Sequence, residues 1–185
     1  MLLRFKISKR RLLYLAFGIA TFLIAYSAGA AVPMTDEEAE ELRKQFSEQI
    51  EGIDEYGIFL NNIRIALGMF VPALGVGLGV FSGFATGSVF SALVGSEPLL
   101  SEAPPLVIFL TPFGAMELFV YGLAMSRSGM LIYQLVKKKP WREYAAPTLI
   151  ELGIAAAVLF AAALIEWWFI ESLGGLDNGA IIEPV

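Results

Sequence analysis

The chain contains no cysteine and no histidine. Without cysteine no disulfide can form, and without either residue the zinc sites built from thiolates and imidazoles are excluded. The absence of histidine also excludes catalytic mechanisms that need an imidazole as general base. Zinc proteases with an HExxH motif and Ser–His proteases are therefore ruled out. We expect no catalytic residues, no metal site and no cofactor.

Charged residues are also scarce, at 17% of the chain, whereas soluble domains contain roughly 25%. Hydrophobic residues make up 57% of the sequence, which is more than a soluble core of this size can use. A bundle in lipid must be apolar on its outside as well as its inside. The composition therefore predicts an all-α transmembrane helix bundle that forms a single membrane domain over residues 1–185.

Apolar runs alternate with charged segments along the chain. A spanning helix needs about 20 apolar residues, and a count of such runs gives four spans. Four spans would leave one of the two basic segments outside the cell, although basic loops prefer the cytoplasm. Five hydrophobic segments remove this conflict. They are 12–32, 63–83, 88–100, 105–126 and 149–170.

In the five-segment interpretation the glycine-rich run passes twice, with a turn near 83–87, and its second arm is short or re-entrant. The N-terminus and the basic loop 127–148 are then cytoplasmic, and the C-terminus is external. We expect a multi-pass protein of the cell membrane. Segment 12–32 also resembles a signal peptide, but it is longer than the usual apolar region of about 7–15 residues, which favours an uncleaved helix.

The acidic segment 35–56 predicts an external amphipathic helix. Thr35 and Glu38 have the spacing of a capping box. Apolar residues follow helical spacing at Leu42, Phe46, Ile50 and Ile53. The helix either lies on the bundle or membrane surface, or docks a partner. An acidic helix gains nothing from anionic lipids, so a protein contact is slightly favoured.

Small residues recur at every fourth position of the glycine-rich run: Gly75, Gly79, Gly83, Gly87 and Ser91. This repeated GxxxG spacing lets helix backbones approach closely in lipid. It predicts either helix packing within one bundle or the seam of a homodimer. Packing within the bundle is the favoured interpretation.

Four ionisable residues lie in or beside apolar segments: Arg64, Glu117, Glu151 and Glu166. A charge at the bilayer centre costs at least about 2–3 kcal/mol, so each is a candidate functional residue. Glu151 lies beside the basic loop and can pair with a basic residue there. We expect Arg64 to pair with Glu117, with Asn62 and Glu166 nearby. Such a cluster either fixes helix register or forms an ion or proton pathway, and the scarcity of polar residues favours the former.

Three stretches have a recognisable order and spacing over residues 58–170. They are an asparagine-rich helix start at 59–67, Pro112-Phe113-Gly114-Ala115-Met116-Glu117, and Ala162-Ala163-Leu164-Ile165-Glu166. In this order they resemble the stage II sporulation protein M family, whose corresponding signatures are an Asn-rich helix start, P-H-G-x-x-E and A-x-x-I-E. Phe113 replaces the family histidine, so a proton relay or metal ligand at that position does not carry over.

The resemblance implies a multi-span membrane subunit without catalytic activity. In spore-forming bacteria, members of this family hold peptidoglycan-degrading partners at the septum. We therefore expect a non-catalytic scaffold or accessory subunit, not an enzyme, whose partners are other membrane proteins and the lipid bilayer. The alternative is a small transporter or channel component with a polar path through Arg64, Glu117 and Glu166. Nucleic acid is not an expected partner, because the basic segments are short.

Overall fold

A computed structural model describes residues 8–95 and 104–172, and within these ranges all regular secondary structure is helical. The prediction of an all-α fold is confirmed. The helices are α1 (Lys9–Ala30), α2 (Asp36–Ile50), α3 (Glu55–Phe70), α4 (Leu74–Gly95), α5 (Pro112–Val136) and α6 (Arg142–Ser172), with a 3-10 helix at Pro105–Leu110 before α5.

Three of the described helices, α1, α4 and α6, are long and apolar enough to cross a membrane. Helices α1 and α4 have 22 residues each, which at ~1.5 Å per residue is about 33 Å. The apolar core of a bilayer is about 30 Å thick. Large apolar side chains on these helices face outward, among them Phe17 and Phe81, which are 71% and 70% exposed. Outward apolar side chains suit contact with lipid.

One end of the bundle, which we call the basic end, gathers the start of α1, the end of α5 and the start of α6. Arg11, Arg127 and Glu151 bond to one another there. The turn after α3 reaches the same end, because the Ser128 hydroxyl donates to the Val71 carbonyl at 2.8 Å. Exposed basic residues concentrate here: Lys9, Arg10, Lys137, Lys138, Lys139 and Arg142.

The opposite end, the acidic end, gathers α2, the ends of α1 and α4, and the starts of α3 and α5. The Tyr26 hydroxyl donates to the Pro105 carbonyl at 3.0 Å, and Arg43 of α2 donates to the Ala92 carbonyl at 3.1 Å. Helices α1, α3, α4, α5 and α6 therefore alternate in direction between the two ends. Exposed acidic residues lie here: Asp36, Glu37, Glu38, Glu40, Glu41 and Glu48.

The break in the glycine-rich run lies at 71–73, not at 83–87, so the predicted position of the turn is wrong. Helix α4 is continuous through 83–87. Pro72 lacks the N–H that α3 would need to continue, and Ala73 has a φ of 70°. The glycines of α4 mark close packing and not a turn. Residues 96–100 of the predicted second arm lie outside the described residues.

Two other predicted boundaries differ from the structure. Most of the expected loop 127–148 is helical, and the connection between α5 and α6 is only 137–141. The expected segment 105–126 is divided at Thr111, whose hydroxyl accepts a hydrogen bond from the Gly114 N–H at 3.1 Å and caps α5. The start of α5 depends on this cap at Thr111, which a count of hydrophobic residues does not detect.

The predicted amphipathic helix at 35–56 is α2 followed by the start of α3, separated at 51–54. Its capping box is confirmed: the Thr35 N–H donates to Glu38 Oε2 at 2.8 Å, and the Glu38 N–H donates to Thr35 Oγ1 at 3.3 Å. The backbone N–H of Thr35, followed by its hydroxyl, holds the pKa of the Glu38 carboxyl below its usual value. Helix α2 thus starts where the sequence indicates, and ends before Gly52, whose φ is 66°.

Candidate functional site

A packed apolar core fills the bundle between its two ends. Its side chains come from α1, α3, α5 and α6, and include the fully buried Met69, Val120, Ala124 and Leu159. Interior polar groups lie at either end of this core. They form two clusters, one at the basic end and one at the acidic end.

The Glu151 carboxylate is the centre of the first cluster. Arg11 donates to it through Nε and Nη2, both at 2.7 Å. Arg127 donates through Nε at 2.8 Å and Nη2 at 2.5 Å. The carboxylate thus accepts four charge-assisted hydrogen bonds, about as many as its lone pairs can take. The Arg11, Arg127 and Glu151 side chains are 13%, 4% and 9% exposed, so the cluster is almost entirely withdrawn from solvent.

Ser126 extends this cluster. Arg11 Nη1 donates to the Ser126 hydroxyl at 2.6 Å, and that hydroxyl donates to the Leu123 carbonyl at 2.8 Å. The cluster joins α1, α5 and α6. A basic partner for Glu151 in the 127–148 segment is the sequence expectation, and Arg127 is such a partner. Arg11 is a second partner that the sequence does not single out, because it stands beside other basic residues.

Asn62 and Glu117 form the centre of the second cluster. Asn62 Nδ2 donates to Glu117 Oε1 at 2.5 Å, and the Tyr121 hydroxyl donates to Asn62 Oδ1 at 3.1 Å. Asn62 lies on α3, whereas Glu117 and Tyr121 lie one turn apart on α5. The structure therefore brings two of the predicted residues together and adds a tyrosine that spacing alone did not single out.

Glu166 lies on α6, close enough to Glu117 and Tyr121 to act on both electrostatically. Its Oε2 atom is buried and has no hydrogen-bond partner among the described residues. The acidic end thus holds two carboxyl groups near each other, one tied to Asn62 and the other with an unpartnered oxygen.

Arg64 does not join this cluster. It is exposed on α3, and within residues 8–95 and 104–172 no ion pair links it to Glu117. Residues two apart on a helix do not face the same side, so Arg64 points away when Asn62 points inward. The expected pairing of Arg64 with Glu117 is therefore wrong, and the partner of Glu117 is an amide.

The glycines of α4 pack against helices of the same chain. Gly75 faces the end of α3 as well as α5, Gly79 faces α5, and Gly83 and Gly87 face α1. A Cβ on Gly87 would collide with the Tyr26 carbonyl oxygen. The stripe is covered within one bundle, so it is not free to form the seam of a homodimer.

Glycines outside this stripe make equally close contacts. A Cβ on Gly18 would collide with the Gly122 carbonyl, which joins α1 to α5. A Cβ on Gly29 would collide with the Phe84 carbonyl, which joins α1 to α4. Gly18 and Gly29 both lie on α1 but do not have the four-residue spacing of the α4 glycines, so no repeat in the sequence identifies them.

The contacts that these clusters make among the described residues are hydrogen bonds and ion pairs. No group of three or more acidic, histidine or cysteine side chains that could hold a metal occurs in the part of the chain that the structure describes. The family model described as stage II sporulation protein M matches residues 12–169. The chain belongs to this family. Comparison with curated proteins and with solved structures returned no match.

The resemblance read from the sequence is thereby confirmed, and the match includes both polar clusters apart from Arg11. Phe113 lies in the first turn of α5 in this member of the stage II sporulation protein M family. Its ring packs against Phe169 of α6, with the ring centroids 6.1 Å apart. An apolar contact between α5 and α6 therefore occupies the position.

Proposed function

We infer that this member of the stage II sporulation protein M family is a non-catalytic membrane scaffold or accessory subunit of a membrane protein complex. The observation that carries the inference is the separation of its two polar clusters by the apolar core. Each cluster ties helices together within one end of the bundle. Such polar groups define which helices pack together and in what register.

The helix directions support five membrane crossings. Helices that alternate between a basic and an acidic end place every basic segment on one side, and basic segments prefer the cytoplasm. In this arrangement the N-terminus is cytoplasmic, the C-terminus is external, and α2 is external. Helix α3, with 16 residues, is about 24 Å long at ~1.5 Å per residue and crosses together with the turn at 71–73.

The absence of cysteine allows a clean test of this topology. Lys138→Cys would place a single thiol in the connection between α5 and α6, and Glu48→Cys would place one on α2. In intact cells a membrane-impermeant maleimide should label the second variant only, and both after the membrane is permeabilised. Labelling of Lys138→Cys in intact cells would contradict the five-crossing arrangement.

The exposed face of α2 supports contact with a partner protein. The helix has no fully buried residue, and Arg43 holds its middle to the end of α4. A cleft of about 370 Å³ lies between α2 and the bundle. Apolar Val32 and Leu42 line it together with Glu38 and Glu41. A segment with both basic and apolar side chains fits this chemistry, whereas anionic lipid would be repelled.

Copurification from native membranes tests the scaffold role. We expect the wild-type chain to retain a partner that is lost in Glu41→Lys/Glu48→Lys, because this change reverses charge on the α2 face. Glu143→Lys is the control at the opposite end, because it makes the same change at an exposed glutamate, and it should retain the partner. A wild-type chain that purifies alone would count against the scaffold.

The transporter alternative has one observation in its favour, the unpartnered Oε2 of Glu166 beside Glu117. The exposed position of Arg64 and the intervening apolar core count against it. Flux measurements in liposomes separate the two proposals. Cation or proton flux that disappears in Glu166→Gln would favour transport over the scaffold.

A further inference from the structure

A cleft of about 320 Å³ opens at the basic end, between the end of α5, the start of α6 and the turn after α3. Leu131 and Leu135 line it from α5, Ala145 and Leu149 line it from α6, and Pro72 lines it from the turn. The volume lies near the lower limit of roughly 300–1,000 Å³ for small-molecule sites. The cleft can therefore hold a flexible chain or a small apolar group.

The cleft is apolar even where polar residues border it. The Thr148 hydroxyl donates to the Tyr144 carbonyl at 2.7 Å, so its hydrogen bond is made within α6 and not in the cleft. The cleft also opens sideways from the bundle, because Leu135 and Leu149 are 49% and 67% exposed. An apolar cleft on the side of a membrane bundle faces the acyl chains of the lipid.

Positive charge borders the mouth of this cleft. The connection between Leu135 and Tyr144 carries Lys137, Lys138 and Arg142, all exposed and all without an ion pair among the described residues. Lys139, in contrast, lies 3.7 Å from the Glu143 carboxylate. Three uncompensated cations thus stand beside an apolar cleft.

We propose that this cleft binds an anionic phospholipid, with one acyl chain between α5 and α6 and the headgroup phosphate against Lys137, Lys138 and Arg142. An anionic phospholipid matches both halves of the site. A zwitterionic lipid matches the apolar half but gains little from three cations, and an apolar protein helix gains nothing from them. The proposal rests on the membrane placement of the basic end and not on the scaffold role.

Trp141 provides a reporter, because it is exposed and lies within the same connection. The chain has three tryptophans, so Trp167→Phe/Trp168→Phe leaves Trp141 as the only one. This protein, in neutral detergent, is titrated with phosphatidylglycerol carrying brominated acyl chains, which quench tryptophan on contact. We expect saturable quenching, with at least tenfold weaker binding of brominated phosphatidylcholine of the same chain length.

Charge variants separate a defined site from general attraction to a basic surface. Each basic side chain near an anionic surface contributes about fivefold in affinity, so Lys137→Gln/Lys138→Gln should weaken quenching by phosphatidylglycerol about tenfold to thirtyfold. Lys9→Gln/Arg10→Gln removes the same charge at the same end, on a helix that does not line the cleft. That control should weaken binding less than about threefold.

Cleft variants test the acyl-chain half of the site. Ala145→Phe places a ring in the cleft and should abolish saturable quenching, whereas Ala146→Phe, on an exposed position one residue later, should not. Equal quenching by the two lipids, equal effects of the two charge variants, or unchanged binding in a folded Ala145→Phe protein would each overturn the proposal. So would loss of a copurifying protein in Ala145→Phe with unchanged lipid quenching, because the cleft would then be a protein site.

Discussion

Arg11 and Glu151 are 140 residues apart in the sequence, and their side chains form a bidentate ion pair with both N···O distances at 2.7 Å. Arg127 binds the same carboxylate from α5. One carboxylate therefore determines how the first and last described helices pack on α5. Because all three side chains are nearly buried, removal of the carboxylate leaves both guanidinium groups without compensation.

We expect Glu151→Ala to destabilise the bundle by about 3–5 kcal/mol, because two buried guanidinium groups lose the carboxylate that pairs with both. Arg11→Gln should cost less, since Arg127 still neutralises Glu151. Unfolding in mixed micelles by titration with a denaturing detergent measures both. Glu143→Ala is the control, as this exposed carboxylate should contribute no more than about 0.5 kcal/mol. Similar losses for Glu143→Ala and Glu151→Ala would contradict this account.

The link between Asn62 and Glu117 predicts a pattern of rescue. Asn62→Ala should cost about 0.6–1.7 kcal/mol, which spans the average and the largest value measured for hydrogen bonds between helices in a membrane protein. Asn62→Asp should cost more, because a second carboxylate replaces the donor to Glu117. Asn62→Asp/Glu117→Gln should recover much of that loss, since the glutamine amide can donate to the aspartate. The same unfolding titration tests the cycle.

Arg64→Gln serves as the comparison for this cycle. The side chain is exposed and has no ion pair with Glu117, so we expect a change within about 0.5 kcal/mol. A loss of stability as large as that of Asn62→Asp would indicate that Arg64 does pair with Glu117, as the sequence suggested.

The glycines of α4 should differ in their tolerance of a methyl group. Gly87→Ala meets the Tyr26 backbone and should separate α1 from α4, with a loss of at least about 1–3 kcal/mol from overpacking. Gly77→Ala meets nothing within 4 Å and should be neutral or stabilising by up to about 1 kcal/mol, since alanine favours helix. Unfolding titrations of both variants test this contrast. Equal changes in the free energy of unfolding would show that close packing at Gly87 does not make this position less tolerant than Gly77.

The capping box of α2 predicts a dependence on pH. The pKa of Glu38 is lowered from about 4.5 in the folded chain, so its ionised form stabilises the cap above that value. The contribution is lost as the pH falls from about 4.5 through the lowered pKa. Hydrogen exchange of the α2 amides, corrected for intrinsic rates, should show falling protection over this range. In Glu38→Gln this part of the pH dependence should be absent.

The sequence by itself determined the all-helical architecture, the apolar character of the long helices and the family. It also determined the start of α2, because a capping box depends on residues three apart. Hydrophobicity, helical spacing and capping are local properties, so they are readable without a fold. The same locality explains the misplaced turn: glycine repeats permit both a turn and close packing, and only neighbouring helices distinguish them.

Only the tertiary structure decided which polar groups meet. Arg64 and Asn62 are two residues apart, but the rotation of α3 directs Asn62 toward Glu117 and leaves Arg64 exposed. Arg11 reaches Glu151 because α1 and α6 both pack against α5. A side chain's partner depends on helix rotation and neighbour choice, which follow from packing over the whole bundle and not from any local pattern.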